Sequence, residues 1–422
     1  VDQLHLQGIT GKGVTVAVID SGLWEHPALT HDTSGEFRVA AYYNAILDRT
    51  EQQLSDDGGH GTHMASIIAN STPTKFSGED TGASRGVSPD AKLVAIKALD
   101  RQGRAHILDI ARAVQWVVEN REKFDIQVLN MSLAQRPRWP YWEDPVTQTV
   151  MHAWASGITV VAAASNEGPS PMSIGSPGNL PYIITVGTVT DSWTPETRDD
   201  DYIPEFSSQG PTPTGHVKPD IVALGGHMTG LIPPSSKLAL DQPEDVLRSG
   251  ELMSTGSSQS AALVSGIVAL MLQLEADLSP DEIKCKLLSS AEPAINTDGK
   301  LSYSPFQQGY GYVSAPRTVM LGDKDCGNQH LDIMADIKRH KHFYGPTIED
   351  SNGDPTLPNL EYLVSPDPSP KGLTEIRKWG VKGHIERLDQ KTLESQDKSD
   401  IGQNWLELYL LEKEAIEKLA QD

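Results

Sequence analysis

The strongest constraint on this chain is a rhythm. Short apolar runs rich in β-branched residues recur, and segments of helical periodicity separate them. Residues 14–19 (VTVAVI) form one such run. Residues 93–98, 128–131, 158–163 and 182–186 form others. A run that is apolar throughout, rather than alternating, suits a strand buried on both faces, as in a parallel sheet. Between the runs, residues 107–119 place Ile107, Ile110, Ala111, Val114, Val117 and Val118 on one helical stripe. Residues 145–156 and 261–274 also read as helices. Alternation of this kind predicts a mostly parallel sheet covered by helices on both faces, a three-layer α/β sandwich. At 422 residues there is room for one α/β domain of about 250–320 residues and an appendage.

The rhythm stops near residue 320. Residues 346–372 hold six prolines and no clear periodicity, so they read as irregular. Residues 405–419 form a final amphipathic pattern, with Trp405, Leu408, Leu411, Ala415, Ile416 and Leu419 on its apolar side. The expected division is 1–320 for the α/β domain and 321–422 for a smaller C-terminal extension. The two cysteines, Cys285 and Cys326, lie either side of that boundary. They allow one disulfide or two free thiols.

Charge excludes several partners. Lys and Arg total 35 against 57 Asp and Glu, a net charge of −22. A general nucleic-acid binder needs a basic face, and anionic lipid would repel this one. No run of 18 consecutive apolar residues occurs, so no membrane insertion is expected. The chain begins with Val1 and its first 12 residues lack a signal-peptide pattern. That start fits removal of an N-terminal propeptide or simple trimming. It favours secretion only slightly over an intracellular setting.

Three local patterns carry chemistry. Residues 16–22 (VAVIDSG) set Asp20 at the end of an apolar strand. Residues 57–65 (DGGHGTHMA) place His60 between glycines at a helix start, where small neighbours leave the ring accessible. Residues 255–266 (TGSSQSAALVSG) put Ser258 at the head of an apolar helix. Each alone has a plain structural explanation: a capping Asp, a His60/His63 pair weak as a metal signal, a serine N-cap. Together they supply a hydroxyl, an imidazole to take its proton and a carboxylate to orient that imidazole.

With these motifs in view, residues 8–320 resemble the catalytic domain of subtilisin-like serine proteases. The matching segments are VIDSG around Asp20, HGTH from His60 and GSS ending at Ser258. NMSL at 130–133, AASNEG at 163–168, FSSQGP at 206–211 and KPD at 218–220 match as well. The resemblance implies a serine endopeptidase with Asp20, His60 and Ser258 as triad and Asn166 as side-chain donor of the oxyanion hole. It also implies that Ser132, Leu133 and Ala134 face Gly103, Arg104 and Ala105 across a protein or peptide substrate bound as an extended strand. No cofactor is required for that chemistry.

Departures from the family pattern are Gln259 for Met, Ser260 for Ala and Ala262 for Pro. Ser165 and Ala134 stand where glycine is usual. The changes at 259–262 leave a second reading, a catalytically silent binding or scaffold protein, and the triad chemistry itself leaves a third, a peptide ligase or cyclase in which an amine replaces water. A structural calcium site is one reading of Asp199, Asp200 and Asp201, and a solvated charged loop is the other. The segment from Asp350 to Asp354 reads as an Asx-rich turn. His340 and His342 read as surface residues.

Overall fold

A computed structural model describes residues 1–364, except 195–197, 199, 297–299 and 321, together with the two-residue strand Lys378–Trp379. The amphipathic pattern at 405–419 and Asp199 lie outside the described residues. The chain opens with α1 (Asp2–Leu6) and enters the sheet at β1 (Thr15–Asp20). The short α2 (Pro27–Thr30) leads to β2 (Val39–Asn44) and β3 (Arg49–Thr50). Next come α3 (His60–Ala69) and a hairpin of β4 (Pro73–Phe76) and β5 (Glu79–Ser84). Then β6 (Lys92–Lys97), α4 (Ile107–Glu119), α5 (Arg121–Phe124), β7 (Ile126–Met131), α6 (Pro145–Ala155), β8 (Thr159–Ala163) and β9 (Ile184–Val189) follow. After β10 (Ile221–Leu224), the strands β11 (Met228–Leu231) and β12 (Glu251–Ser254) pair, with α7 (Lys237–Asp241) in the excursion between them. The long α8 (Ser257–Leu274) and α9 (Pro280–Ser289) complete the alternating part.

Eight strands form one sheet in the order β10-β9-β8-β7-β1-β6-β2-β3. Every pairing is parallel except β2 with β3. All residues of β1, β8 and β9 are buried, as continuous apolar runs predict. Helices α4 and α6 pack on each other, while α3 and α8 pack on each other and α8 crosses β7 to β10. The sheet is thus the middle of three layers. Helix α8 is the one described helix long and apolar enough to cross a membrane, and 78% of it is buried inside the protein.

Beyond α8 and α9 the chain continues to pack. Helices α10 (Pro305–Gln308), α11 (Ala315–Met320) and α12 (Ile333–Ile337) follow, and α12 docks on α6. Cys285 and Cys326 are bonded. Asp350 caps a turn by accepting the N–H groups of Asn352 and Asp354 at 2.8 and 2.9 Å, as an Asx turn does. His342 departs from its expected surface position. Its ring stacks on Trp142 and its Nδ1 donates to the buried Asp336 at 2.7 Å.

One buried cation ties the edge of the fold. Arg38 is 3% exposed and donates to Leu29 O (2.8 Å), Pro89 O (2.5 Å), Ala28 O (2.6 Å) and Ala69 O. Burial lowers its pKa to about 10, still well above neutrality. The guanidinium therefore stays charged and gathers four carbonyls from three segments. Arg38→Met would leave them without a donor in a dry site, at a cost on the order of 3 kcal/mol or more. The expected result is a clear fall in the urea midpoint. A midpoint that does not move would mean the carbonyls find other partners.

Candidate active site

In an open parallel sheet the loops beyond the carboxyl ends of the strands meet where the order of connection reverses. Here that place lies around β1, which has β7 on one side and β6 on the other. Asp20 is the last residue of β1 and is fully buried. Ser132 follows β7 directly, and Asn166 follows β8 by three residues. The topology alone brings three of the expected positions to one edge.

His60 reaches the same edge from another direction. It opens α3, whose N-cap Gly59 has φ 99°, a left-handed turn that glycine makes without strain. The loop before it is held by Asp56, whose carboxylate accepts Gly59 N (2.7 Å), Thr62 N (2.9 Å) and Thr62 Oγ1 (2.7 Å). Sequence reading missed Asp56. An aspartate a few residues before a helix start was its only signal. With the loop fixed, His60 Nδ1–H donates to both carboxylate oxygens of Asp20, at 2.9 and 2.8 Å. Burial by itself would lower the His60 pKa. The charge and hydrogen bond of Asp20, with Asp56 behind, outweigh it and hold the value above the ordinary one.

His63, one turn on, goes elsewhere. It is fully buried, and its Nε2 bonds Leu252 O at 3.1 Å. Burial pushes its pKa down to about 4, so it is a neutral core residue at physiological pH. The histidine pair is not brought together as a ligand set.

Ser258 lies in the first turn of α8 and is half-buried. Its hydroxyl donates to Ser132 O at 3.1 Å, while Ser132 Oγ donates to Ser258 O at 2.8 Å. Asn166 is exposed, and its side-chain oxygen accepts Ser257 N at 3.0 Å. That contact turns the Asn166 amide nitrogen toward Gly256, where a Cβ would sit 3.1 Å from it. The first N–H groups of a helix have no acceptor inside it, so this end of α8 attracts negative charge.

The departures from the family pattern sort by position. Gln259, Ser260 and Ala262 are buried, and Ser260 Oγ donates to Ala223 O at 3.0 Å. They pack inward. Ser165 has φ 97°, a backbone region where a side chain carries strain of about 1–3 kcal/mol. Ala134 has no such φ. The β-carbons of both face Gly175, where an added Cβ would meet them at 2.7 Å (Ala134) and 3.2 Å (Ser165).

Two cavities share Ala134 and Gln135 in their linings. A cleft of about 400 Å³ is lined by His60, Gly103, Ala105, Ser132, Leu133 and Ala134 among others. A second, of about 410 Å³, is lined by Ala134, Ser165, Glu167 and Gly175 among others. Arg104 is exposed between Gly103 and Ala105. Asp100 ties down that edge, its Oδ1 accepting Gln102 N and Arg104 N at 2.9 Å each. Among the described residues, no group of three or more His, Cys, Asp or Glu side chains is placed to hold a metal ion.

Comparison with known proteins gives the class: a serine-type peptidase built on a parallel α/β sheet. The chain belongs to the Subtilase family, whose sequence model matches residues 11–311. Serine protease AprX of Bacillus subtilis (strain 168) is 37% identical over 318 residues, covering 74% of this chain and 67% of that protein. Subtilisin amylosacchariticus of Bacillus subtilis subsp. amylosacchariticus is 30% identical over 291 residues, 68% of this chain and 63% of that one. Among solved structures, the S41 psychrophilic protease shares the fold with a TM-score of 0.56 at 24% identity, covering 72% of this chain and 92% of its own.

Proposed function

We propose that this chain is an endopeptidase that hydrolyses bonds within proteins through Asp20, His60 and Ser258. The observation that supports the reading best is the two-oxygen contact between buried Asp20 and His60 Nδ1. It fixes the tautomer that leaves Nε2 free to accept a proton. Ser258 Oγ adds to the substrate carbonyl while His60 takes its proton. The carbonyl oxygen becomes an oxyanion between the Asn166 amide and the first turn of α8. His60 then gives the proton to the leaving amine. Water, activated by the same imidazole, releases the acyl group from Ser258. Asp20 remains ionised and stabilises the imidazolium.

The substrate would lie extended between Gly103–Ala105 and Ser132–Ala134. The test is a denatured protein as substrate, with a fluorophosphonate label on the enzyme and mass spectrometry of the products. Label on Ser258 and internal cleavage sites are expected. A folded protein that neither labels nor cleaves would be a silent fold. Products joined through a new peptide bond would make it a ligase.

The same pair sets a pH dependence. His60 must be neutral to act as base, and its folded pKa is raised. The acid limb of kcat/KM should therefore have its midpoint above about 6.5, the unperturbed histidine value. Stability runs the other way. The charged pair with Asp20 stabilises the fold fully below the unfolded histidine pKa, and this is lost as pH rises through the folded value. Asp20→Asn removes the charge that holds the pKa up, so the limb should move to lower pH. A limb that stays in place would show that another group titrates.

A further inference from the structure

The excursion between β11 and β12 ends against the residues that carry His60. Two N–H groups of the first turn of α7 dock there: Lys237 N on Asp57 O at 2.9 Å and Leu238 N on Gly58 O at 3.0 Å. Ser236, the N-cap of α7, is fully buried, and its Oγ lies 2.6 Å from where a Cβ on Gly59 would sit. Ala239 of α7 forms a small apolar cluster with Ile232 and Leu252, with Leu238 and Val246 packed against it. The helix is therefore held through its first N–H groups and through this cluster. Leu238 nevertheless lines the cleft beside His60 and Leu99.

We propose that α7 is a specificity wall, with Leu238 as the residue that limits side-chain size next to His60. The inference rests on the peptidase reading above. In an extended peptide, successive side chains point to opposite faces. The two cavities share Ala134 and Gln135 and otherwise have different linings, one with His60, Leu99 and Leu238 and the other with Ser165 and Gly175. The residue that supplies the scissile carbonyl sits against Asn166, so its side chain enters the cavity lined by Ser165 and Gly175. The residue before it then turns toward His60, Leu99 and Leu238. With α7 pinned to Asp57 and Gly58, that wall cannot retreat. Leu238 bounds the part of the cleft beside His60, so a small side chain fits there better than an aromatic one.

The test uses two chromogenic peptides that differ only at that position, Ala in one and Phe in the other. The readout is the ratio of their kcat/KM values, so a uniform loss of activity cancels. The full chain should favour Ala by at least the roughly 10- to 200-fold that one methylene commands in an apolar pocket. Leu238→Ala should cut the ratio at least tenfold, and Leu238→Phe should raise it. The pair of variants pushes in opposite directions, so instability of either leaves the other to decide. Ratios that stay level in a variant that still labels with fluorophosphonate would overturn the wall and leave the triad standing. Failure of the unaltered chain to label or to cleave either peptide would overturn the peptidase reading and this inference with it.

Discussion

Ser258→Ala should abolish turnover and leave the fold in place. The hydroxyl makes one hydrogen bond, to Ser132 O at 3.1 Å, on a half-buried side chain. Losing it costs about 1 kcal/mol, too little to unfold a domain. The loss in kcat should be on the order of 10⁶-fold, the figure for the corresponding serine of the related subtilisin. Two neighbours are the controls. Ser257 meets Asn166 through its backbone N–H, a contact that alanine keeps. Ser260 donates to Ala223 O inside the core, so Ser260→Ala should lower stability by about 1 kcal/mol while turnover survives. Peptide turnover and probe labelling of the three variants decide the register. An active Ser258→Ala beside a dead Ser257→Ala would show the assignment to be off by one residue.

Much of the architecture could be read from the chain because its information is local. Strands β1, β8 and β9 are buried along their whole length, so every residue in them obeys one rule. Strand β10 was not legible: four residues behind Lys218-Pro219 are too few to show a pattern. Strand β2 begins with partly exposed residues, and its paired tyrosines blur the run. The five-residue α7 is shorter than two helical turns, so no periodicity could announce it.

The site divides the same way. Asp20, His60 and Ser258 each sit in a motif whose neighbours are small or apolar, and the motifs stood out together. Asp56 and Ser236 have no such frame. Asp56 acts on backbone N–H groups that meet it only once the loop at 56–59 has folded, and Ser236 comes close to Gly59 only from a segment far along the chain. Ser165 is a mixed case. Its place where glycine is usual marked it in the sequence, and its φ of 97° gives the physical reason.

A chain ending at residue 320 should melt far below the full chain, although all of the proposed chemistry lies before residue 267. Phe343, Leu357, Leu363 and Val364 are buried in the same core cluster as the strands of the sheet. Four such side chains contribute about 1.5–3 kcal/mol each, an upper figure before chain entropy is charged against it. That approaches the 5–15 kcal/mol that keeps a domain folded. Polar contacts add to it. Asp336 accepts the hydroxyls of Tyr141 and Tyr182 at 2.6 and 2.9 Å, and without it two buried donors lose their acceptor. Asn328 bonds Lys284, Tyr182 and Asp281 at 3.0, 2.9 and 2.7 Å. The Cys285–Cys326 bond anchors this arm across a sequence separation of 41, which in the chain-entropy view is worth about 4 kcal/mol. Cys285 is fully buried, so the cleaner variant is Cys285→Ser with Cys326→Ser rather than added reductant. Calorimetry should rank the melting points: full chain, then the serine double variant, then the truncated chain. The truncated chain should still label at Ser258 in the cold, because β1, α3 and α8 hold the site without the arm. Equal melting points would make residues 321–422 a passive tail. A folded truncated chain that does not label would mean that the arm helps to build the site.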